Sequence, residues 1–161
     1  MLRSIMRTAH PIVAAVFVAC AIVQIFLAGL GVFDDPKAFV THREFGYLFG
    51  WLTLLVLVLA LAGRMPRRIT GLSVLLLVLF ALQSLLVAVR ADLPMIAALH
   101  PLNGFAILGV GVMTARASWR LRRESTTTMT TAMTTAMTTA TAMAAPQGAG
   151  SAPVFTPDEA L

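Results

Sequence analysis

The chain has 161 residues, of which 58% are hydrophobic and 12% are charged. Soluble domains carry about 25% charged residues, so this composition excludes an ordinary soluble protein and indicates a membrane protein. The net charge of +5 does not indicate nucleic-acid binding, because the arginines stand in short segments between apolar runs. A single cysteine, Cys20, excludes a disulfide framework and a thiol metal cluster.

Four apolar runs are each long enough to cross a bilayer, which needs about 20 helical residues. The predicted spans are about 11–33, 36–62, 71–89 and 94–115. The second span opens at Asp35-Pro36 and the fourth at Pro94, and proline is favoured at the first position of a helix. The predicted fold class is therefore all-α membrane, a four-helix transmembrane bundle formed by residues 1–123.

The positive charges predict the orientation of these spans. Nine of the twelve Lys and Arg residues lie in the amino-terminal segment, the turn between the second and third spans, and the segment after the fourth. Segments rich in Lys and Arg stay on the cytoplasmic side. We therefore expect both termini to be cytoplasmic, in a multi-pass protein of the bacterial plasma membrane whose first partner is the lipid bilayer.

The composition changes at residue 124, where Thr, Ala and Met begin to repeat with a period of four. Methionines at that spacing would line one face of a helix, but the β-branched threonines between them lower helix propensity. Proline, glycine and serine after Ala145 are typical of disorder. We predict that residues 124–161 form a disordered cytoplasmic tail.

The chain contains an internal repeat. Residues 34–46 and 92–104 both read Asp, any residue, Pro, five residues, His, three residues, Gly. Each copy follows an apolar run that contains one glutamine, Gln24 or Gln83. The pattern predicts two duplicated helical hairpins.

The two repeated histidines, His42 and His100, are the strongest candidates for a functional site. An ionisable side chain within a membrane helix costs a few kcal/mol or more, so it is by default a functional hypothesis. The second and fourth helices of an up-down-up-down bundle face a common interior, where their imidazoles would supply both axial ligands of a haem iron. Gly46 and Gly104 lie one turn further on the same helix faces and would leave space for a flat macrocycle. We therefore predict a bis-histidine site for haem b.

The alternative is that the histidine and glycine pairs only allow close helix packing, as small residues do in membranes. Each histidine would then bond to a carbonyl group or to the glutamine of its hairpin. One count also argues against equal depth, because His42 precedes Arg64 by 22 residues and His100 precedes Arg116 by only 16. Six residues correspond to about 9 Å of helix.

Other polar residues lie close to these histidines in sequence. Arg43 and Arg90 stand near the outer interface, where they would pair with haem propionates or simply extend to the membrane surface. Asn103 would bond a propionate or the backbone carbonyl released by Pro101. His10, at the inner end, is expected at the interface, with a proton-handling or quinone-contacting group as the functional alternative.

Two segments carry a resemblance to known proteins: Thr41-His42-Arg43 with Gly46, and His100-Pro101-Leu102-Asn103-Gly104. They resemble small four-span bacterial membrane proteins of unassigned function and, more distantly, one four-helix half of haem A synthase. The resemblance covers about residues 5–118 and implies that His42 and His100 ligate haem. It also makes Arg43 the match for an arginine that follows the helix-two histidine.

The chain departs from the synthase at one informative place. The synthase has a glutamate shortly before its helix-two histidine, and this chain has Ala38, Phe39 and Val40 there. Only one half of the synthase is present as well. Haem A synthesis is therefore not expected, and haem binding is the property that the resemblance implies.

Taken together, the sequence predicts a membrane protein that binds b-type haem for electron transfer or haem sensing, with a quinone or a membrane redox partner. It contains no catalytic constellation beyond redox chemistry. The alternative is a haem-free helical module that packs in a larger complex or binds a lipid-like ligand. A small transporter is disfavoured, because broken helices and intramembrane charges at a midplane site are missing from the pattern.

Overall fold

The computed structural model describes residues 1–144, and every regular element within them is helical. The helices are α1 (Leu2–Phe33), α2 (Ala38–Ala62), α3 (Arg67–Ala88), α4 (Pro94–Ala97) and α5 (His100–Ala144). Four segments are long and apolar enough to cross a membrane: Leu2–Phe33, Ala38–Ala62, Arg67–Ala88 and Pro94–Thr141. The predicted all-α, four-span fold class is confirmed.

The turn between α1 and α2 delays the start of the second helix. Helix α2 begins at Ala38, two residues after Pro36, where the predicted span began. A carboxylate oxygen of Asp35 accepts a hydrogen bond of 2.9 Å from the backbone N–H of Lys37. The backbone carbonyl of Asp35 accepts another from the N–H of Ala38, at 2.8 Å. These bonds form a separate tight turn over residues 35–37, so Lys37 is the residue that precedes α2.

The turn between α2 and α3 is equally short and uses one residue in the left-handed region. Arg64 has a φ of 47°, and the N–H of Met65 then reaches back to the carbonyl of Ala60 at 2.9 Å. Pro66 follows and fixes the backbone ahead of α3, which begins at Arg67. Helix α3 therefore starts four residues before the predicted span.

The fourth span is interrupted near its beginning, because α4 ends at Ala97 and α5 begins at His100. Pro101 explains the interruption. It has no N–H to bond to the preceding turn, and its ring disfavours helical geometry in the residue before it. The break places His100 in the first turn of α5.

Helix α5 continues to Ala144, so residues 124–144 of the segment predicted as a disordered tail are helical. Threonine hydroxyls bond to carbonyls one turn earlier, as Thr130 does to Thr126 at 3.1 Å and Thr134 to Thr130 at 3.0 Å. Extending an existing helix needs no new nucleus, and alanine and methionine both favour the helical state. The remainder of the predicted tail, residues 145–161, lies outside the described residues.

Residues 1–124 form one compact unit, and every long helix contributes to its buried centre. The buried residues there are Phe17 and Ala21 of α1, Phe49 of α2, Leu76 of α3 and Ile107 of α5. The rings of Phe17 and Phe49 lie 5.5 Å apart, within the range at which aromatic pairs attract each other. This shared layer defines a four-helix bundle.

Many large apolar side chains of the bundle point outward. Examples are Phe26, Leu48, Trp51, Leu85 and Phe105. Contiguous apolar surface on this scale is unfavourable in water, whereas lipid chains cover it without cost. The helices are therefore of the kind found in multi-pass membrane proteins, with a surface suited to a lipid bilayer.

Candidate functional site

The structure brings His42 of α2 and His100 of α5 together near the end of the bundle where the 34–37 and 89–93 loops lie. Their ring centroids are 6.3 Å apart and their planes are inclined by 66°. The difference in depth that the arginine count indicated is absent, because Arg116 does not mark the end of the packed part of α5. Ser118, beyond Arg116, is still buried in the bundle.

His42 is held by Gln24 of α1 through two hydrogen bonds. Its Nδ1 lies 3.1 Å from the backbone carbonyl oxygen of Gln24. A carbonyl oxygen can only accept, so we assign the ring proton to Nδ1, which leaves a lone pair on Nε2. The side-chain amide of Gln24 in turn donates to the backbone carbonyl of His42 at 2.8 Å.

His100 repeats this arrangement with one change. Its Nδ1 lies 3.4 Å from the backbone carbonyl oxygen of Gln83 on α3, so the ring proton is again assigned to Nδ1. The amide of Gln83, however, lies 3.2 Å from Nε2 of the imidazole ring itself. An amide nitrogen only donates, so Nε2 of His100 accepts a hydrogen bond from Gln83.

The repeated glycines make room for these two glutamine amides. A β-carbon at Gly46 would lie 2.9 Å from Nε2 of Gln24, and one at Gly104 would lie 3.4 Å from Nε2 of Gln83. The sequence suggested that the glycines leave space for a macrocycle. In the structure a glutamine side chain occupies the position beside each glycine, as the packing alternative would have it.

Asn103 completes the second half of the site and has no counterpart in the first. Its amide nitrogen donates to the backbone carbonyl of Leu79 at 2.9 Å and to the side-chain oxygen of Gln83 at 2.6 Å. Phe45 occupies the matching position of the first repeat. The side-chain oxygen of Gln24 is buried and has no hydrogen-bond partner within the described part of the chain.

The arginines near the site lie on the exposed surface. Arg43 donates to the carboxylate of Glu44 at 2.8 Å, and its side chain is 59% exposed. Arg90 donates to the backbone carbonyl of Val87 at 3.1 Å. Exposed ion pairs such as the first contribute at most about 1 kcal/mol to stability, so Arg43 could exchange its partner at little cost.

His10 differs from the interfacial position expected for it, because its side chain is fully buried. Its Nδ1 lies 2.9 Å from the hydroxyl oxygen of Ser118 on α5, and its Nε2 lies 3.4 Å from that of Ser73 on α3. One imidazole therefore connects three helices. The sequence signal for this cluster is the presence of isolated small hydroxyl residues in the third and fourth spans.

The chemistry available to His42 and His100 is that of two imidazole ligands. Histidines that bind a metal commonly donate their second ring N–H to a carbonyl or carboxylate, and both rings have that arrangement. Metal–imidazole bonds are about 2 Å long, so two rings on opposite sides of one metal ion have a separation comparable to the one observed. Within residues 1–144 no group of three or more His, Cys, Asp and Glu residues could hold a metal ion. A metal held by this pair would need its other ligands from outside these residues.

Comparison with known proteins gives one match. Residues 24–90 of the chain match the model of a family of unknown function, DUF6220. The matched segment runs from Gln24 to Arg90 and contains His42, Gly46 and Gln83, and it ends before His100. No curated protein and no solved structure matches the chain.

Proposed function

We propose that this multi-pass membrane protein binds b-type haem between His42 and His100 and serves in electron transfer or haem sensing. The observation that supports the proposal is the meeting of two imidazoles from different spans, each with Nδ1 held by a backbone carbonyl. That orientation fixes the ring and leaves Nε2 as the nitrogen with a lone pair. The distant resemblance to haem A synthase and a location in the bacterial plasma membrane belong to the same proposal.

Each residue of the site has a defined task in this proposal. His42 and His100 would hold the haem iron, and the carbonyl oxygens of Gln24 and Gln83 would keep the two rings in position. Bound haem supplies one-electron exchange at its iron, with a quinone or a membrane redox protein as the partner. With two histidines holding the iron, oxygen chemistry would be disfavoured.

Two further residues have proposed roles at the edge of the cofactor. Arg43 would pair with a propionate in place of Glu44, since guanidinium groups bind carboxylates through charge-assisted hydrogen bonds. Asn103 contributes indirectly, because both of its amide hydrogens are directed to Leu79 and Gln83. We therefore assign it to positioning Gln83 and not to propionate binding.

The second candidate function is a haem-free helical module that packs in a larger complex or binds a lipid-like ligand. The positions of the glutamine amides beside Gly46 and Gly104 favour it. In that case the repeated histidines connect neighbouring helices, as buried polar side chains do in membrane bundles, at about 0.6 kcal/mol for each hydrogen bond.

The two functions are separated by a reduced-minus-oxidised visible spectrum of protein purified after expression with haem supplied. Variants His42→Ala and His100→Ala are compared with His10→Ala, which removes a histidine from the opposite end of the same bundle. We expect sharp low-spin b-type bands in the wild type and in His10→Ala, and their loss in the other two. A folded, colourless wild-type protein would refute haem binding and leave the haem-free module.

A further inference from the structure

The two halves of the site differ in what their glutamine amides contact. In the first half the amide of Gln24 bonds to the backbone carbonyl of His42, 2.8 Å away, and the ring nitrogen Nε2 makes no hydrogen bond within residues 1–144. In the second half the amide of Gln83 bonds to Nε2 of His100, at 3.2 Å. One candidate ligand nitrogen is therefore open and the other is covered.

The covering amide is held in place from its other side. The side-chain oxygen of Gln83 accepts a hydrogen bond of 2.6 Å from Asn103, which is itself tied to the carbonyl of Leu79. Gln24 has no such support, because Phe45 stands where Asn103 would be. The difference between the halves thus follows from a single position of the repeat.

We propose that Gln83 is a displaceable cap on the ligand nitrogen of His100, locked by Asn103. The proposal rests on the proposed function, because it assigns an order to haem capture. His42 is available at once, and His100 becomes available only after the Gln83 amide turns away. Gln83 is then a positioning residue that sets how fast the second histidine joins.

The cap can be tested without haem by the rate at which diethyl pyrocarbonate modifies each histidine, measured by mass spectrometry in detergent micelles. An imidazole nitrogen with a free lone pair attacks a carbonyl carbon of the reagent and takes up its ethoxycarbonyl group, while ethyl carbonate leaves. We expect His42 to react fastest, His100 more slowly, and His10 slowest because both of its nitrogens contact serines. In Gln83→Leu the His100 rate should rise about fivefold, the factor that corresponds to one hydrogen bond of about 1 kcal/mol. The matched variant Gln24→Leu should leave the ring reactivity of His42 unchanged.

Two further variants protect the test against loss of folding. Gln83→Asn keeps an amide but shortens the side chain by one methylene, so that it no longer reaches His100. Asn103→Leu keeps Gln83 and removes the hydrogen bond from Asn103 that holds the Gln83 side chain in place. Both should raise the modification rate of His100, with retention of the helical circular dichroism spectrum as the check on folding. An unchanged His100 rate in folded Gln83→Leu and Gln83→Asn would overturn the proposal.

The rate of haem binding then tests ordered capture separately from haem binding itself. If haem binds, the low-spin spectrum should form more slowly in the wild type than in Gln83→Leu, and Ser84→Ala should behave like the wild type. Equal rates in wild type and Gln83→Leu would overturn the ordered capture while leaving haem binding intact. If haem binds to neither protein, the proposed function and the ordered capture both fail, and the modification rates alone decide whether Gln83 covers His100.

Discussion

Substitution of Gly46 and Gly104 tests whether these glycines make room for the amides of Gln24 and Gln83. A β-carbon at Gly46 would lie 2.9 Å from Nε2 of Gln24, which is too close for the amide to keep its position. The same change at Gly104 would place the β-carbon 3.4 Å from Nε2 of Gln83, an ordinary van der Waals distance. Gly46→Ala should therefore displace its glutamine, and Gly104→Ala should not.

The difference in unfolding free energy between the two variants can be estimated, because the two substitutions share their effect on helix propensity. Each replaces glycine with alanine inside a helix, which favours folding by about 1 kcal/mol, so this gain cancels in the difference. Gly46→Ala additionally loses the 2.8 Å bond from Gln24 to the carbonyl of His42. One hydrogen bond contributes about 0.5–1.5 kcal/mol. We expect Gly46→Ala to be less stable than Gly104→Ala by about 1 kcal/mol.

The assay is equilibrium unfolding in mixed micelles, titrated with a denaturing detergent and followed by circular dichroism. The double variant Gly46→Ala with Gln24→Ala serves as the control, because the penalty should disappear once the amide is gone. Equal stabilities of Gly46→Ala and Gly104→Ala would refute the assignment of the glycines to the glutamines. If both variants instead kept their stability and lost haem affinity to the same extent, the glycines would be making room for the macrocycle.

Two other predictions concern the rest of the bundle. Ser118→Ala should destabilise the fold by about 1–3 kcal/mol, because it removes a partner of the buried His10 imidazole; Ser84→Ala, at an exposed position of α3, should change stability by less than about 0.5 kcal/mol in the same unfolding assay. For the orientation, a cysteine introduced at Asp92 should react with a membrane-impermeant thiol reagent added outside intact cells, and one at Arg64 should react only after lysis. The reverse labelling would show that both termini face outward.

The sequence was sufficient to identify the four spans, because membrane helices are recognised by long runs of apolar residues. Their ends were harder to place. Helix α1 begins at Leu2 and α3 at Arg67, and both residues lie inside the basic segments that separate the predicted spans. Charged side chains can extend from a helix to the interface, so an arginine marks the edge of the lipid better than the end of the helix.

Two features of the fourth span differ from the sequence prediction: its interruption near Pro101 and the long helix after residue 124. The sequence pattern predicts one unbroken span over 94–115, and only the structure shows the interruption between Ala97 and His100 that Pro101 explains. The Thr-rich segment was assessed as an isolated stretch with low helix propensity. It is in fact an extension of a helix that already exists, and nucleation is the unfavourable step in helix formation.

The contents of the site were predictable in part. The repeat identified His42 and His100, and it named a carbonyl or a glutamine as their alternative partners. It could not indicate that one amide would bond to a backbone carbonyl and the other to a ring nitrogen, since that choice depends on side-chain rotamers. The burial of His10 was missed for a related reason, because its partners are serines distant in sequence, Ser73 and Ser118.

The divergence of the two halves has a physical cause in the core beneath them. Phe45 packs its ring 5.4 Å from that of Phe49 and so extends the aromatic layer at the centre of the bundle. Asn103, at the matching position, is buried and must satisfy its amide, which it does on Leu79 and Gln83. Phe45 packs in the core and leaves Gln24 without support, whereas Asn103 holds Gln83 by a hydrogen bond. As a result, Nε2 of His42 is open and Nε2 of His100 is covered by the Gln83 amide. Two identical halves would expose both nitrogens equally, so the proposed order of haem capture depends on the difference at this single position.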